Sequence, residues 1–256
     1  MKIIDTHCHL NDKALYSDLD NVVNRARNAG VDKMLVVGWD KESSELAIKI
    51  AEQYDFVYAI IGFHPENIFD INDEILYKTL ELYKHPKVVA IGEIGLDYHW
   101  TKEPEKRELQ KEYFIKQIGF ANKVGLPISI HSRDAFEDTL KILKEHRPEH
   151  GGVMHCYSGS VENLKDIINL NLYIGLDGPV TFANAKTPKE VAAEIPLERV
   201  VVETDCPYLS PHPLRGTVNE PANISLIVDA IAEARNMSKK HLLDVLYQNS
   251  CELFKL

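Results

Sequence analysis

Residues of the types that bind divalent metals occur along the whole chain, each at the end of a short apolar run. These six residues are His7, His9, Glu93, His131, His155 and Asp205. The runs before them are rich in Val and Ile, which is typical of buried parallel strands. A side chain at the exit of a buried strand points into one end of a barrel or sheet, where α/β enzymes place their chemistry. The sequence therefore predicts one metal-dependent site.

The first motif, HCH at the N-terminus, is weak when taken alone. His7 and His9 lie two residues apart, so an extended strand places both imidazoles on one face, where they can chelate one ion. The same spacing also occurs on strands whose polar residues face solvent. Ile3 and Ile4 favour burial on both faces and therefore favour the metal interpretation. Asp5 could support this pair as a buried carboxylate.

The two acidic candidates are more specific. Glu93 lies in the apolar run VVAIGEIGLD, where a carboxylate is costly unless it binds metal or pairs with an inward-facing Arg or Lys. Its two oxygens could bridge two cations. Asp205 could bind a metal and also face the attacking water. Glu203 shares that side of the strand one layer deeper, and we expect it to support the site.

The order of predicted elements indicates a (β/α)8 TIM barrel. Eight strands are predicted at residues 3–9, 33–38, 57–63, 88–94, 127–131, 152–156, 172–176 and 200–205. Helices are predicted at residues 17–29, 42–54, 105–124, 134–146, 160–170, 220–235 and 238–249. Strands that alternate with helices in a chain of 256 residues favour one barrel domain over residues 1–256. We expect the longest loops after strands one, four and eight.

The charge balance limits the partners. Asp and Glu total 39 against 29 Lys and Arg, a net charge of −10, which disfavours diffuse binding to nucleic acid or anionic membrane. A polyanion held by metal ions and a local cationic patch stays possible. The sequence has no apolar stretch long enough to span a bilayer and no signal-peptide region at its start. We expect a cytoplasmic protein with no membrane partner; the sequence leaves the oligomeric state open.

Three of the four cysteines adjoin a proposed ligand. Cys8, Cys156 and Cys206 follow His7, His155 and Asp205, respectively. Because neighbouring side chains on a strand face opposite sides, these thiols should point outward to the helices as small buried apolar groups. The spacings do not predict a disulfide.

Over its whole length the sequence resembles the TatD-related metal-dependent deoxyribonucleases, within the amidohydrolase-like barrels. The matching segments are IIDTHCHLND, IGFHPE, IGEIGLDY, PISIHSRDAFED, HCYSG and VVETDCPYLSPHPLRGTVNEPAN. The resemblance implies two divalent ions. One would be held by His7, His9, Glu93 and Asp205, and the other by Glu93, His131 and His155. Such a donor set accepts Zn, Mn, Mg, Co or Ni. Tyr157 stands where Phe is common in the family.

Substrate contacts are expected from a further set of residues around the same end of the barrel. Arg133 and Arg215 each offer a planar fork that pairs with phosphate oxygens, or they anchor loops. His64 could contact phosphate or donate a proton. Asp97 could orient a ligand or contact substrate. Tyr98 begins an aromatic run, YHW, on which a base could stack, although at least one of its rings should pack a loop instead.

The leading hypothesis is hydrolysis of DNA phosphodiester bonds by a metal-activated water. Asp205 would accept the proton, with Glu93 and His64 also in the catalytic group. A narrow mouth with few cations favours exonuclease action on DNA ends or short single-stranded DNA. The alternative is hydrolysis of another ester or amide, such as an aminoacyl ester on RNA. A catalytically silent metal-binding protein is less favoured, since a structural site needs no open coordination position.

Overall fold

The structure, a computed structural model, describes residues 2–256 and contains a barrel of eight parallel strands. Hydrogen bonds join neighbouring strands in chain order. The strands are β1 (Ile3–Cys8), β2 (Val31–Val37), β3 (Val57–Ile61), β4 (Val88–Asp97), β5 (Ile128–Arg133), β6 (Gly152–Met154), β7 (Leu172–Leu176) and β8 (Val200–Val202). The predicted TIM barrel is confirmed.

The barrel closes between β8 and β1 at its carboxyl end. The Asp205 amide donates to the His7 carbonyl at 2.9 Å, and the His9 amide donates to the Cys206 carbonyl at 2.8 Å. These two bonds bring the first and last predicted ligand motifs side by side. The closure therefore depends on the same residues that were predicted to bind metal.

Helices surround the strands, as the alternating pattern predicted. They are α1 (Lys13–Tyr16), α2 (Leu19–Asn28), α3 (Lys41–Gln53), α4 (Asp73–Leu80), α5 (Pro104–Val124), α6 (Phe136–Glu145), α7 (Leu164–Asn169), α8 (Lys186–Glu194), α9 (Ile224–Ala234) and α10 (Lys239–Phe254). No predicted segment corresponded to α1, α4 or α8. All three are short, and α8 contains Pro188 and few apolar residues, so its helical period is weak.

Strand ends differ from the prediction in a way that matters for the site. β4 continues to Asp97, so only residues 98–103 connect it to α5, and the loop after β4 is not among the longest. β6 and β8 instead end early, which places His155 and Asp205 in the turns just beyond them. The connection from β1 to α1 is also short, residues 9–12, whereas the long segment after β8, residues 203–220, was predicted correctly.

Apolar side chains fill both faces of the sheet. Along β2, Met34 and Val36 belong to the core between strands and helices, whereas Leu35 and Val37 join a second cluster with Ile4 that fills the barrel. This burial on two faces explains why the strands are continuous apolar runs rather than alternating ones. Among residues 2–256, no helix is both long enough and apolar enough to cross a bilayer.

Candidate metal centre

Four predicted ligands converge at the carboxyl end of the barrel. The Nε2 atoms of His7 and His9 lie 3.3 Å apart. His7 Nε2 lies 3.5 Å from Glu93 Oε2, and His9 Nε2 lies 3.4 Å from Asp205 Oδ1. Donor atoms about 2.1 Å from a tetrahedral ion are separated from one another by roughly 3.4 Å. The four side chains therefore fit one divalent ion.

A second donor group forms around the other oxygen of Glu93. Glu93 Oε1 lies 2.7 Å from His131 Nδ1 and 3.8 Å from His155 Nε2. The His155 ring stacks on the His7 ring with centroids 3.5 Å apart, so the two groups adjoin. Glu93 thus turns one oxygen to each group. All six predicted ligands are brought together, and the first group and the second share this carboxylate.

His7 and His9 also have contacts at Nδ1, the ring nitrogen that faces away from the centre. The Nδ1 atom of His9 lies 3.1 Å from the Val37 carbonyl, which can only accept a hydrogen bond. The proton of neutral His9 therefore resides on Nδ1, and Nε2 keeps its lone pair. His7 Nδ1 has a longer contact of 3.4 Å with the Ser129 hydroxyl. Both Nε2 atoms point at the carboxylates of the first group.

Carboxylates orient the other two histidines. Glu203 Oε1 accepts from His155 Nδ1 at 2.8 Å, and Asp97 Oδ2 accepts from His131 Nε2 at 3.0 Å. The nitrogens that remain free to bind a metal ion are therefore Nε2 of His155 and Nδ1 of His131. Carboxylates that bind the outer N–H of a histidine fix its orientation and raise its basicity toward a metal. Each histidine of the centre thus presents one selected nitrogen.

The charges of the centre suit a bound cation. Burial acts to raise the pKa of Glu93, but hydrogen bonds from His131 and His7 outweigh it and hold that pKa well below its usual range. Burial acts to lower the pKa of His131, but Asp97 and Glu93 raise it to about 9. A proton on His131 therefore offsets the charge of Glu93 in this arrangement. A metal ion at Glu93 would replace the Nδ1 proton of His131.

Residues around the ligands hold the backbone in place. The buried carboxylate of Asp5 accepts from the Thr204 amide at 3.0 Å and from the Thr204 hydroxyl at 2.6 Å, which joins β1 to the residue before Asp205. Glycine is needed at two nearby positions. A Cβ on Gly95, whose φ is +147°, would lie 1.9 Å from a backbone oxygen of β5, and one on Gly175 would lie 2.4 Å from Glu203 Oε1.

The prediction for the cysteines was wrong at one position. Cys8 and Cys206 are fully buried as expected, but Cys156 is half-buried and its thiol faces Asp177. The alternation rule fails there because β6 ends at Met154, and Cys156 lies in a turn with φ of +43°. Burial, followed by the negative charge of Asp177, raises the pKa of this thiol well above its usual range. All four cysteines are free.

Sequence reasoning missed Asp177 altogether. It follows β7 directly and is buried, and its Oδ2 has no hydrogen-bond partner among residues 2–256. Burial and the neighbouring charges of Glu203 and Asp205 raise the pKa of Asp177 to about 8. The sequence did contain a signal for Asp177, because this residue follows an apolar strand in the same way as the six predicted ligands.

His64 lies beside the second donor group. Its Nδ1 accepts a hydrogen bond from the Glu66 amide at 3.2 Å, so the proton of neutral His64 resides on Nε2. That Nε2 lies 3.9 Å from Glu93 Oε1. Burial, and then the charge of His131, lowers the pKa of His64 to about 3. The ring is therefore neutral and presents an N–H to the centre.

The aromatic run after β4 divides into covered and open rings. Tyr98 is buried, and its hydroxyl donates to Asp138 at 2.6 Å. Trp100 is 64% exposed. Asp97 Oδ1 accepts from the amides of His99 and Trp100, so this carboxylate orients His131 and also shapes the turn. Trp100, rather than Tyr98, offers an open ring at the mouth.

The two predicted phosphate-binding arginines differ from the other arginines in their side-chain partners. The chain has eight arginines, and six of them donate side-chain hydrogen bonds. Within residues 2–256, Arg133 and Arg215 have neither a side-chain hydrogen bond nor an ion pair. Each instead lies against an aromatic ring, Arg133 5.7 Å from Trp100 and Arg215 4.1 Å from Phe182. Both belong to the carboxyl end of the barrel.

Comparisons with known proteins agree with this architecture. The family described as TatD related DNase matches residues 4–255. The chain is 46% identical over 255 residues to the uncharacterized metal-dependent hydrolase YabD of Bacillus subtilis, with 99% of each chain covered. It is 35% identical to YcfH of Escherichia coli, an uncharacterized metal-dependent hydrolase, covering 100% of this chain and 97% of that one.

Solved structures show the same relationship. The crystal structure of YjjV, a TatD homologue from Escherichia coli, superposes with a TM-score of 0.93 at 30% identity, covering 99% of this chain and 98% of that one. A TatD-family hydrolase from Entamoeba histolytica gives a TM-score of 0.88 at 26% identity, with 98% and 97% covered. The family model and the relatives above 30% identity span nearly the whole chain. This protein belongs to the TatD-related DNase family.

Proposed function

We propose that this protein is a metal-dependent hydrolase that cleaves phosphodiester bonds of DNA, acting on single-stranded or frayed ends. The observation that supports the proposal most is the double donor group around Glu93. The Glu93 carboxylate belongs to both groups. In each of the four proposed ligand histidines, the ring nitrogen that faces away from the centre contacts a hydrogen-bonding group of the protein. A single structural ion would need only one of these groups.

The donor set fits two divalent ions. His7, His9, Asp205 and Glu93 Oε2 would hold one, and Glu93 Oε1 with two further histidines, His131 through Nδ1 and His155 through Nε2, would hold the other. Nitrogen and carboxylate donors suit Zn, Mn, Co and Ni, and the carboxylates also suit Mg. When bound, two such ions lower the pKa of water and offset the charge that develops on a phosphoryl group.

Asp205 is the proposed proton acceptor, and His64 is the proposed hydrogen-bond donor. Asp205 Oδ1 lies within 3.8 Å of three ligand nitrogens, which places its carboxylate at the centre of the site. Interactions with His155 and His9 overcome burial and lower the pKa of Asp205, so it is ionised and can accept a proton from the attacking water. His64 is neutral and presents Nε2–H, from which it would donate a hydrogen bond to a phosphate oxygen or to the leaving-group oxygen.

The positive charge available to bind a substrate is confined to a few residues at the mouth of the barrel. Arg133 and Arg215 have no internal partner, and a guanidinium pairs with two phosphate oxygens in a planar fork. An unpaired arginine favours a phosphate substrate over a neutral ester such as an aminoacyl ester. The net charge of −10 provides no broad cationic surface for a long duplex. Together these features favour strand ends and short single strands.

The proposal is tested with linear and circular single-stranded DNA of one sequence. The metal-loaded protein should degrade the linear strand and leave the circle intact, and chelator should abolish the activity. The same preparations are assayed on an aminoacyl ester and a simple carboxylic ester. Faster turnover of the ester than of DNA would overturn the phosphodiester assignment. Cutting of the circle at the linear rate would overturn end-directed action alone.

A further inference from the structure

Two exposed aromatic residues follow strands on opposite sides of the barrel. Trp100 follows β4 and is 64% exposed, and Tyr208 follows β8 and is 54% exposed. In a ring of eight strands joined in order, β4 and β8 are diametrically opposite. The centre of the barrel, where the proposed metal ligands meet, therefore lies between the strands that these two residues follow.

Each ring is tied to the residues of the centre. The Trp100 amide donates to Asp97 Oδ1 at 3.0 Å, and the other oxygen of Asp97 holds His131. The Tyr208 ring lies 6.1 Å from the His9 ring, and its hydroxyl donates to Asp12 at 3.2 Å. Single exposed aromatic residues are ordinary on protein surfaces. These two differ because each contacts a residue of the centre, Trp100 through its amide and Tyr208 through its ring.

The side of the mouth near Trp100 also offers a phosphate-binding group. The guanidinium of Arg133 lies 5.7 Å from the centre of the Trp100 ring and has no other partner among residues 2–256. The rings of Trp100 and His99 are nearly perpendicular, with centroids 4.7 Å apart. A largely exposed aromatic ring next to a guanidinium without a polar partner matches a nucleotide, which has a planar base next to a phosphate.

We propose that Trp100 and Tyr208 are the base-stacking residues of this enzyme, one on each side of the scissile phosphate. This inference rests on the proposed phosphodiesterase function and names the contacts that would recognise its substrate. Stacking on aromatic rings accepts any base, because every base has a π-face. The site would therefore favour unpaired bases of any sequence, and a base held in a duplex would be unable to reach either ring.

The test measures equilibrium binding of fluorescein-labelled oligothymidylates of about six nucleotides with phosphorothioate linkages, which slow hydrolysis. A matched oligonucleotide lacks all its bases and keeps the sugar-phosphate chain. The metal-loaded wild-type protein should bind the base-bearing strand more tightly. Trp100→Ala and Tyr208→Ala should each reduce that preference by roughly 5- to 150-fold, the range for base–aromatic stacking.

Matched variants separate stacking from folding. Trp100→Phe and Tyr208→Phe keep a flat ring and should retain most of the preference. Tyr77→Ala removes an exposed aromatic ring on α4, away from the mouth, and should leave the preference unchanged. If both alanine variants at the mouth keep the wild-type preference for bases, or if wild type shows no such preference, the stacking proposal is overturned.

The binding result is independent of turnover. Cleavage of linear DNA with an unchanged base preference in the alanine variants would leave the phosphodiesterase function intact and reject the stacking residues. Base-dependent binding that is lost in the variants, with no cleavage of any DNA, would support the stacking residues and reject the phosphodiesterase function.

Discussion

Replacement of Asp97 by Asn tests whether the outer carboxylates select the nitrogen that binds metal. Asp97 Oδ1 accepts from two backbone amides, and Oδ2 accepts from His131 Nε2 at 3.0 Å. Asn can keep the two amide bonds only through its oxygen, which turns its NH2 group toward His131. Two donors then face each other. The imidazole should respond by moving its proton to Nδ1, the nitrogen proposed to bind metal.

The expected magnitude follows from this mismatch. Loss of a carboxylate that orients a metal-binding histidine typically lowers metal affinity by about 10- to 100-fold. The effect should fall on one ion, because His131 belongs to the second group. Ser129→Ala is the matched control: it removes a neutral contact of 3.4 Å to His7, in the first group. Its effect should be smaller and should fall on the other ion.

Equilibrium dialysis against buffered metal, followed by elemental analysis, measures both effects. Wild type should reach two equivalents, whereas Asp97→Asn should hold one at metal concentrations that saturate wild type. Thermal unfolding in chelator should show that both variants fold. Two ions bound by Asp97→Asn with wild-type affinities would refute the orientation argument, and equal loss of both ions would refute the assignment of His131 to a single group.

Three further outcomes are expected. Asp205→Asn should lower kcat by about 10²- to 10⁴-fold in DNA cleavage at saturating metal, the usual range for a general base; a loss of only a fewfold would point to another base. Arg133→Ala should raise KM for DNA by about 10- to 100-fold through loss of a charged hydrogen bond, whereas Arg199→Ala, whose side chain binds the Asn171 side chain, should not change KM. The chelator-treated protein should be less stable to urea at pH 9 than at pH 7. The pKa of Asp177 is raised to about 8 and that of His131 to about 9, so the folded state keeps protons that the unfolded state has released. Each such proton contributes about 1.4 kcal/mol per pH unit, lost as the pH rises; a stability that increased toward pH 9 would contradict these two pKa directions.

Fold and ligand positions were predictable because they depend on strong local patterns. Apolar runs indicated the strands, and polar residues at the ends of several of these runs marked the mouth. All six predicted ligands converge, as the distances around Glu93 show. Whether they hold two ions stays a prediction.

Contacts between distant segments were not predictable from the same patterns. The pairing of Asp5 with Thr204 and the placement of Glu203 against Gly175 depend on barrel closure, which single-strand periodicity does not describe. The early end of β6 turned the Cys156 thiol toward Asp177, contrary to the alternation rule. The lack of a polar partner at Arg133 and Arg215 could be recognised only from the structure, which shows the hydrogen-bond partners of the other six arginines.

Anomalous diffraction from metal-loaded crystals, with data on both sides of the metal absorption edge, tests the central claim most directly. Two peaks about 3.5–4 Å apart are expected, the usual spacing of two-metal hydrolytic sites. One should contact Nε2 of His7 and His9, and the other should contact Nδ1 of His131 and Nε2 of His155, with Glu93 between them. A single peak at full metal loading, or coordination of His131 through Nε2, would contradict the account.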